Sequence, residues 1–193
     1  MIPRRLAIAL AAGLLLAACS GAAPAPASFD PSGPCAGADE QRMSGAYPEL
    51  EAALPTKMAD VASTNRESGR YCSEKTLGAL MAAGIEEMRF GAATWDRGSG
   101  KALSLVLFEA DGLTAKALFD TYETSARATS KVHNIRTSEP TIAGGGAYRM
   151  DLLNDESFQA ILVWPGDRPG QVRVVLAADL TNDEVQAAAD AFR

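Results

Sequence analysis

The chain has 193 residues, of which 47% are hydrophobic, 22% charged and 6% aromatic, with a formal net charge of −6. That length holds one domain or at most a small pair, which excludes a multidomain enzyme. Arg4 and Arg5 fall within the first 18 residues, so the remainder of the protein carries −8 and is poorly suited to neutralising the phosphates of nucleic acid.

Met1 to Arg5 carries the two arginines, and Leu6 to Ala18 (LAIALAAGLLLAA) is an uncharged run. It has the length of a secretory h-region and falls short of the roughly 20 residues that a membrane span requires. Residues 1–18 are therefore expected to be a signal peptide. The run ends in Leu16-Ala17-Ala18-Cys19, which resembles the lipobox of bacterial lipoproteins: a leucine, two small residues and an obligatory cysteine. The resemblance implies that Cys19 becomes the mature N-terminus, with a diacylglycerol thioether on its sulfur and an acyl group such as palmitate on its amine. Two or more buried acyl groups, at about 0.8 kcal/mol per CH₂, hold a protein on a bilayer where one binds only reversibly. Ordinary cleavage near the small residues is the alternative. In lipoproteins of two-membrane bacteria, an Asp after the Cys retains the protein at the inner membrane; Ser20 stands here, which permits the outer membrane.

Residues 19–37 are rich in Pro, Ala, Ser and Gly, with Phe29 the single large apolar side chain, and read as a tether. Beyond Cys19, the remaining cysteines are Cys35 and Cys72, an even pair that in an exported protein predicts a disulfide. A redox or metal role is the alternative, but there is no C-x-x-C and His133 is the single histidine.

Residues 38–193 are expected to form the folded domain. Tyr47 to Leu54 predicts a short helix, with Pro48 early, acidic residues in the first turn and Pro55 as a stop. Residues 56–71 show no clear period, and Asn65 to Gly69 (NRESG) reads as a turn. Ser73 caps a helix over Glu74 to Ala83 that Gly84 ends. Glu86 to Trp95 and Lys101 to Glu109 form a hairpin around Asp96 to Gly100, and the second strand is apolar on both parities, as in a central strand. Leu113 to Ser130 predicts a helix with Ala115, Leu118, Phe119, Tyr122 and Ala126 in one stripe. Strands follow at Ala147 to Leu153, Phe158 to Trp164 and Gln171 to Ala178, with a further candidate at Lys131 to Ser138. Thr181-Asn182-Asp183-Glu184 is a capping box that opens the last helix.

This order predicts an α+β sandwich: an antiparallel sheet of about five strands packed with three to four helices. The element order resembles small exported domains of the PsbP type, in which helices pack on an antiparallel sheet. No motif accompanies the likeness, so no residue is carried across.

The sequence offers no linear catalytic motif, no histidine pair for a metal and no phosphate-loop pattern around Gly144 to Gly146, so no catalytic residue, metal or cofactor is expected. His133 reads as a surface residue. The strand parity that opposes the core places Arg89, Arg149 and Arg173 on one sheet face, with Gln159 from a fourth strand. Three guanidiniums there would hold an anionic ligand, unless Glu87 and Asp151, on the same parity, neutralise them as ion pairs. The expectation is an exported protein on the cell membrane, held by acylated Cys19, whose domain binds a small anionic ligand or an envelope protein. An envelope enzyme without a linear motif is the alternative.

Overall fold

The computed structural model describes residues 29–35 and 41–193; the leader, the lipobox and Cys19 lie outside the described residues. In sequence order the elements are β1 (Gln41–Met43), α1 (Pro48–Ala52), β2 (Lys57–Met58), β3 (Val61–Ala62), β4 (Asn65–Tyr71), α2 (Glu74–Leu77), α3 (Ala79–Ala82), β5 (Met88–Asp96) and β6 (Ala102–Glu109). There follow α4 (Ala115–Ala128), β7 (Val132–Ser138), β8 (Thr141–Ile142), β9 (Gly145–Gly146), β10 (Tyr148–Asn154), β11 (Phe158–Pro165), β12 (Gln171–Ala178) and α5 (Asn182–Ala191). Eight strands form one antiparallel sheet in the order β1, β4, β5, β6, β12, β11, β10, β7, and β2 with β3 and β8 with β9 make two small hairpins.

The expected α+β sandwich of about five strands is thereby corrected: among the described residues the domain is mostly sheet, with eight strands in its main sheet and five helices. Asn65 to Gly69, expected to turn, forms most of β4. The residues that β4 shares with the α1 side are Arg66, Ser68 and Arg70, which pair across to Ala93, Gly91 and Arg89. They are held by hydrogen bonds instead of apolar contact, so the hydrophobic period of a strand is missing from the sequence. The helix expected over Glu74 to Ala83 is broken into α2 and α3 at Gly78, whose φ of 52° is left-handed. Ser73 caps α2 by accepting from the Thr76 N–H at 3.3 Å.

Helices cover both sheet faces. One core gathers Leu77, Leu80, Phe90, Phe108, Leu118 and Val163 beneath α2, α3 and α4; the other gathers Leu50, Trp95, Leu105, Leu162, Val175 and Val185 beneath α1 and α5. β6 and β12 lie at the centre between them, and the double apolar parity of β6 follows from burial on both sides. α1 is fastened at its C-terminal end by Arg66, which donates from Nη1 to Pro55 O at 2.8 Å and from Nη2 to Leu54 O at 3.2 Å and to Glu51 O. A guanidinium there meets both the orphan carbonyls and the negative end of the helix dipole. The Thr181 and Glu184 capping box of α5 forms as expected.

Tyr122 of α4 is buried, and among the described residues its hydroxyl has no hydrogen-bond partner; burial pushes its pKa well above the ordinary phenol value. An unsatisfied buried hydroxyl costs about 1–3 kcal/mol. Tyr122→Phe is therefore expected to stabilise the domain by about 1 kcal/mol. The measurement is the urea midpoint at unchanged slope, and a lowered midpoint would show that the hydroxyl is satisfied.

Candidate functional site

β5, β12 and β10 carry Arg89, Arg173 and Arg149 on the face that α1 and α5 cover. Arg89 shares the parity of Ala93, Arg173 that of Val175, and Arg149 pairs directly with Leu162. Gln159 does not join them. It sits opposite Leu152 and alternates with Ile161 and Val163, which places it on the α4 face, where it is buried.

The three arginines share a face but not a site. Arg89 Nε donates to Glu87 Oε1 at 2.8 Å and its guanidinium lies 5.2 Å from the Tyr47 ring centroid. Arg149 donates to Asp151 Oδ1 at 2.8 Å and to Asn182 Oδ1 at 2.6 Å. Arg173 donates to Asp167 Oδ2 at 2.6 Å and lies 5.7 Å from the Phe192 ring. Neighbours in this trio are two strands apart and offset along the strand, a separation of about 10 Å or more. They form three separate ion pairs. The Glu87 hydrogen bond raises Arg89 above its ordinary pKa, and the Arg173 hydrogen bond lowers Asp167 below the usual carboxylate value.

A different constellation forms at one end of that face. Gln41, Arg70, Arg89, Glu109 and Gln171 stand side by side across β1, β4, β5, β6 and β12. Glu87 joins two of them, at 2.8 Å from Arg89 Nε and 3.7 Å from Arg70 Nη1. Glu109 Oε2 accepts from Arg168 Nη2 at 2.8 Å and from Gln171 Nε2 at 2.7 Å. A cleft of about 470 Å³ opens beside this row, lined by Ile85, Glu86, Glu87, Arg89, Glu109 and Asp111 among others. Glu86 and Asp111 make no ion pair among the described residues, so the lining carries more negative than positive charge. The turn-like composition of Asn65 to Gly69 hides this row from the sequence; the recoverable signal is the alternation of Arg66, Ser68 and Arg70 before the apolar Tyr71.

Cys35 and Cys72 are joined in a disulfide with Cα atoms 5.7 Å apart, immediately before the Ser73 cap of α2. The bond fixes the backbone next to the row, since Arg70 and Cys72 are two residues apart. His133 lies at the other end of the sheet, on the edge strand β7, with Nε2 3.1 Å from Asp155 Oδ1 and both side chains about half exposed. Gly145 and Gly146 form β9 of the small hairpin that leads to Ala147. Among the described residues no cluster of three His, Cys, Asp or Glu side chains could hold a metal ion, and no helix is long and apolar enough to cross a membrane. No protein-family model and no curated protein matches this sequence.

Proposed function

We propose that the protein is an exported lipoprotein, acylated at Cys19, whose domain binds a polar ligand or an envelope protein without converting it. The observation that carries this reading is the Leu16-Ala17-Ala18-Cys19 run directly behind an uncharged segment and two arginines. The Cys35–Cys72 bond supports it, because disulfides form and persist in oxidising, extracytoplasmic compartments. Binding is supported by the cleft beside Arg89. Its polar groups stand on or next to strands of the central sheet and are held by mutual hydrogen bonds, the preorganisation a ligand site needs. Of the four carboxylates in the lining, Glu87 is paired with Arg89 and Arg70 and Glu109 with Arg168, which leaves Glu86 and Asp111 without an ion pair among the described residues; a ligand bearing an ammonium group is accommodated there better than the anion expected from three clustered arginines.

Cys19→Ala is expected to move the protein from the membrane to the soluble fraction and to abolish incorporation of labelled fatty acid. A variant that still takes up label would overturn the assignment of Cys19.

A further inference from the structure

Phe29–Cys35, expected to be part of the tether, is bound to the domain. Cys35 is covalently joined to Cys72. Arg70, only 3% exposed, donates from Nη1 to Gly33 O at 2.8 Å and from Nη2 to Pro34 O at 3.1 Å and Asp30 O at 3.4 Å. The Phe29 ring lies 5.3 Å from the Arg70 guanidinium and meets the Tyr47 ring edge-on at 6.3 Å. Asp30 Oδ1 accepts from Ser32 N–H at 2.9 Å and from the Ser32 hydroxyl at 2.7 Å, which closes the segment into a turn. Guanidinium donors committed to three backbone carbonyls fix the path of the backbone itself, whatever its side chains.

These contacts are all at one end of the sheet, where β4 finishes, β5 starts and β6 finishes. Nine residues, Ser20 to Ser28, separate Cys19 from Phe29, and the ten Cα-to-Cα steps between the two reach at most about 36 Å when fully extended. The turn between β5 and β6 is at the opposite end of the sheet, about 27 Å further along the strands. We propose that residues 29–35 are a fixed strap that, in the protein anchored through Cys19, turns the Arg89 and Glu109 end of the sheet toward the bilayer. The inference rests on the lipid-anchor reading. It gives the cleft a source of ligand: a cationic group presented at the membrane surface lies within reach, and the Ser99 end faces away.

The test uses the full-length membrane-extracted protein in vesicles that carry an acceptor dye on their headgroups. A fluorescent amino acid is placed at position 169, in the exposed turn beside Arg168, or at position 99, in the exposed turn between β5 and β6. Energy transfer is expected to be several-fold stronger from position 169. In Arg70→Gln, with the disulfide retained, Phe29 to Pro34 can peel away and the difference between the positions shrinks. If that variant fails to fold, the two labels on the otherwise unchanged protein still decide. Equal transfer from both, on a protein whose mass shows lipid on Cys19, overturns the strap. A protein that carries no lipid and stays off the vesicles overturns the anchor reading and the orientation with it.

Discussion

Replacing Cys35 and Cys72 together by serine is expected to lower the stability of the domain by about 4 kcal/mol. That is a large part of the roughly 5–15 kcal/mol that holds a typical domain folded. The bond closes a loop with a sequence separation of 37, and in the chain-entropy model such a loop removes that much denatured-state freedom. The closed loop contains β1, α1, β2, β3 and β4, so the bond ties the backbone entering the sheet to the backbone leaving its first long strand. Without it, the contacts that hold β1 include its pairing with Ser68, Gly69 and Arg70, the Arg70 Nε–H donated to Gln41 Oε1 at 2.9 Å, and the Arg42 to Glu67 ion pair at 3.0 Å, an exposed contact of small worth. The check is a urea titration of the double variant beside the oxidised protein. A midpoint shift equivalent to less than about 1 kcal/mol would mean that the denatured protein is already constrained without the bond.

Gly91→Val is expected to destabilise by about 3 kcal/mol, because the sheet has no room for a side chain there. A Cβ on Gly91 would sit 2.8 Å from the carbonyl carbon and oxygen of Leu50 and 2.9 Å from its Cβ, so α1 must lift off β5. α1 cannot move alone. Tyr47 N–H donates to Ser68 Oγ at 2.7 Å, Ser68 Oγ donates to Glu51 Oε1 at 2.8 Å, and Arg66 holds the C-terminal carbonyls. Shifting the helix exposes Leu50, which is 1% exposed, and leaves the buried Ser68 hydroxyl unpaired. Thermal or urea unfolding reads the loss, and a variant as stable as the parent would contradict the close approach of α1.

The apolar half of the fold was legible from residue spacing. Leu118, Phe119 and Tyr122 form the buried stripe of α4, β6 is covered on both faces, and Thr181 and Glu184 close the box of α5. What escaped was the polar half. β4 turns Arg66, Ser68 and Arg70 toward a covered face, and these become strand residues through partners that are distant in sequence: the carbonyls of α1, the Tyr47 amide and the carbonyls of residues 30–34. Hydrophobic periodicity carries no record of such pairings. The same blindness shaped the candidate site. Parity places Arg89, Arg149 and Arg173 on one face, as the structure has them, but it misplaces Gln159 and misses that this face is a second core under α1 and α5; the separation of the three arginines depends on strand order, which local pattern does not contain. Phe29 illustrates the point at the tether: a lone aromatic among Pro, Ala, Ser and Gly reads as solvent-exposed until Tyr47 and Arg70 are brought beside it.

The lipid anchor underlies both the proposed function and the orientation of the cleft, and the intact mass of the protein extracted from its native membrane tests it most directly. The expected product begins at Cys19 and carries the added mass of a diacylglycerol and an acyl group. A protein that begins at another residue, or an unmodified Cys19, would contradict it.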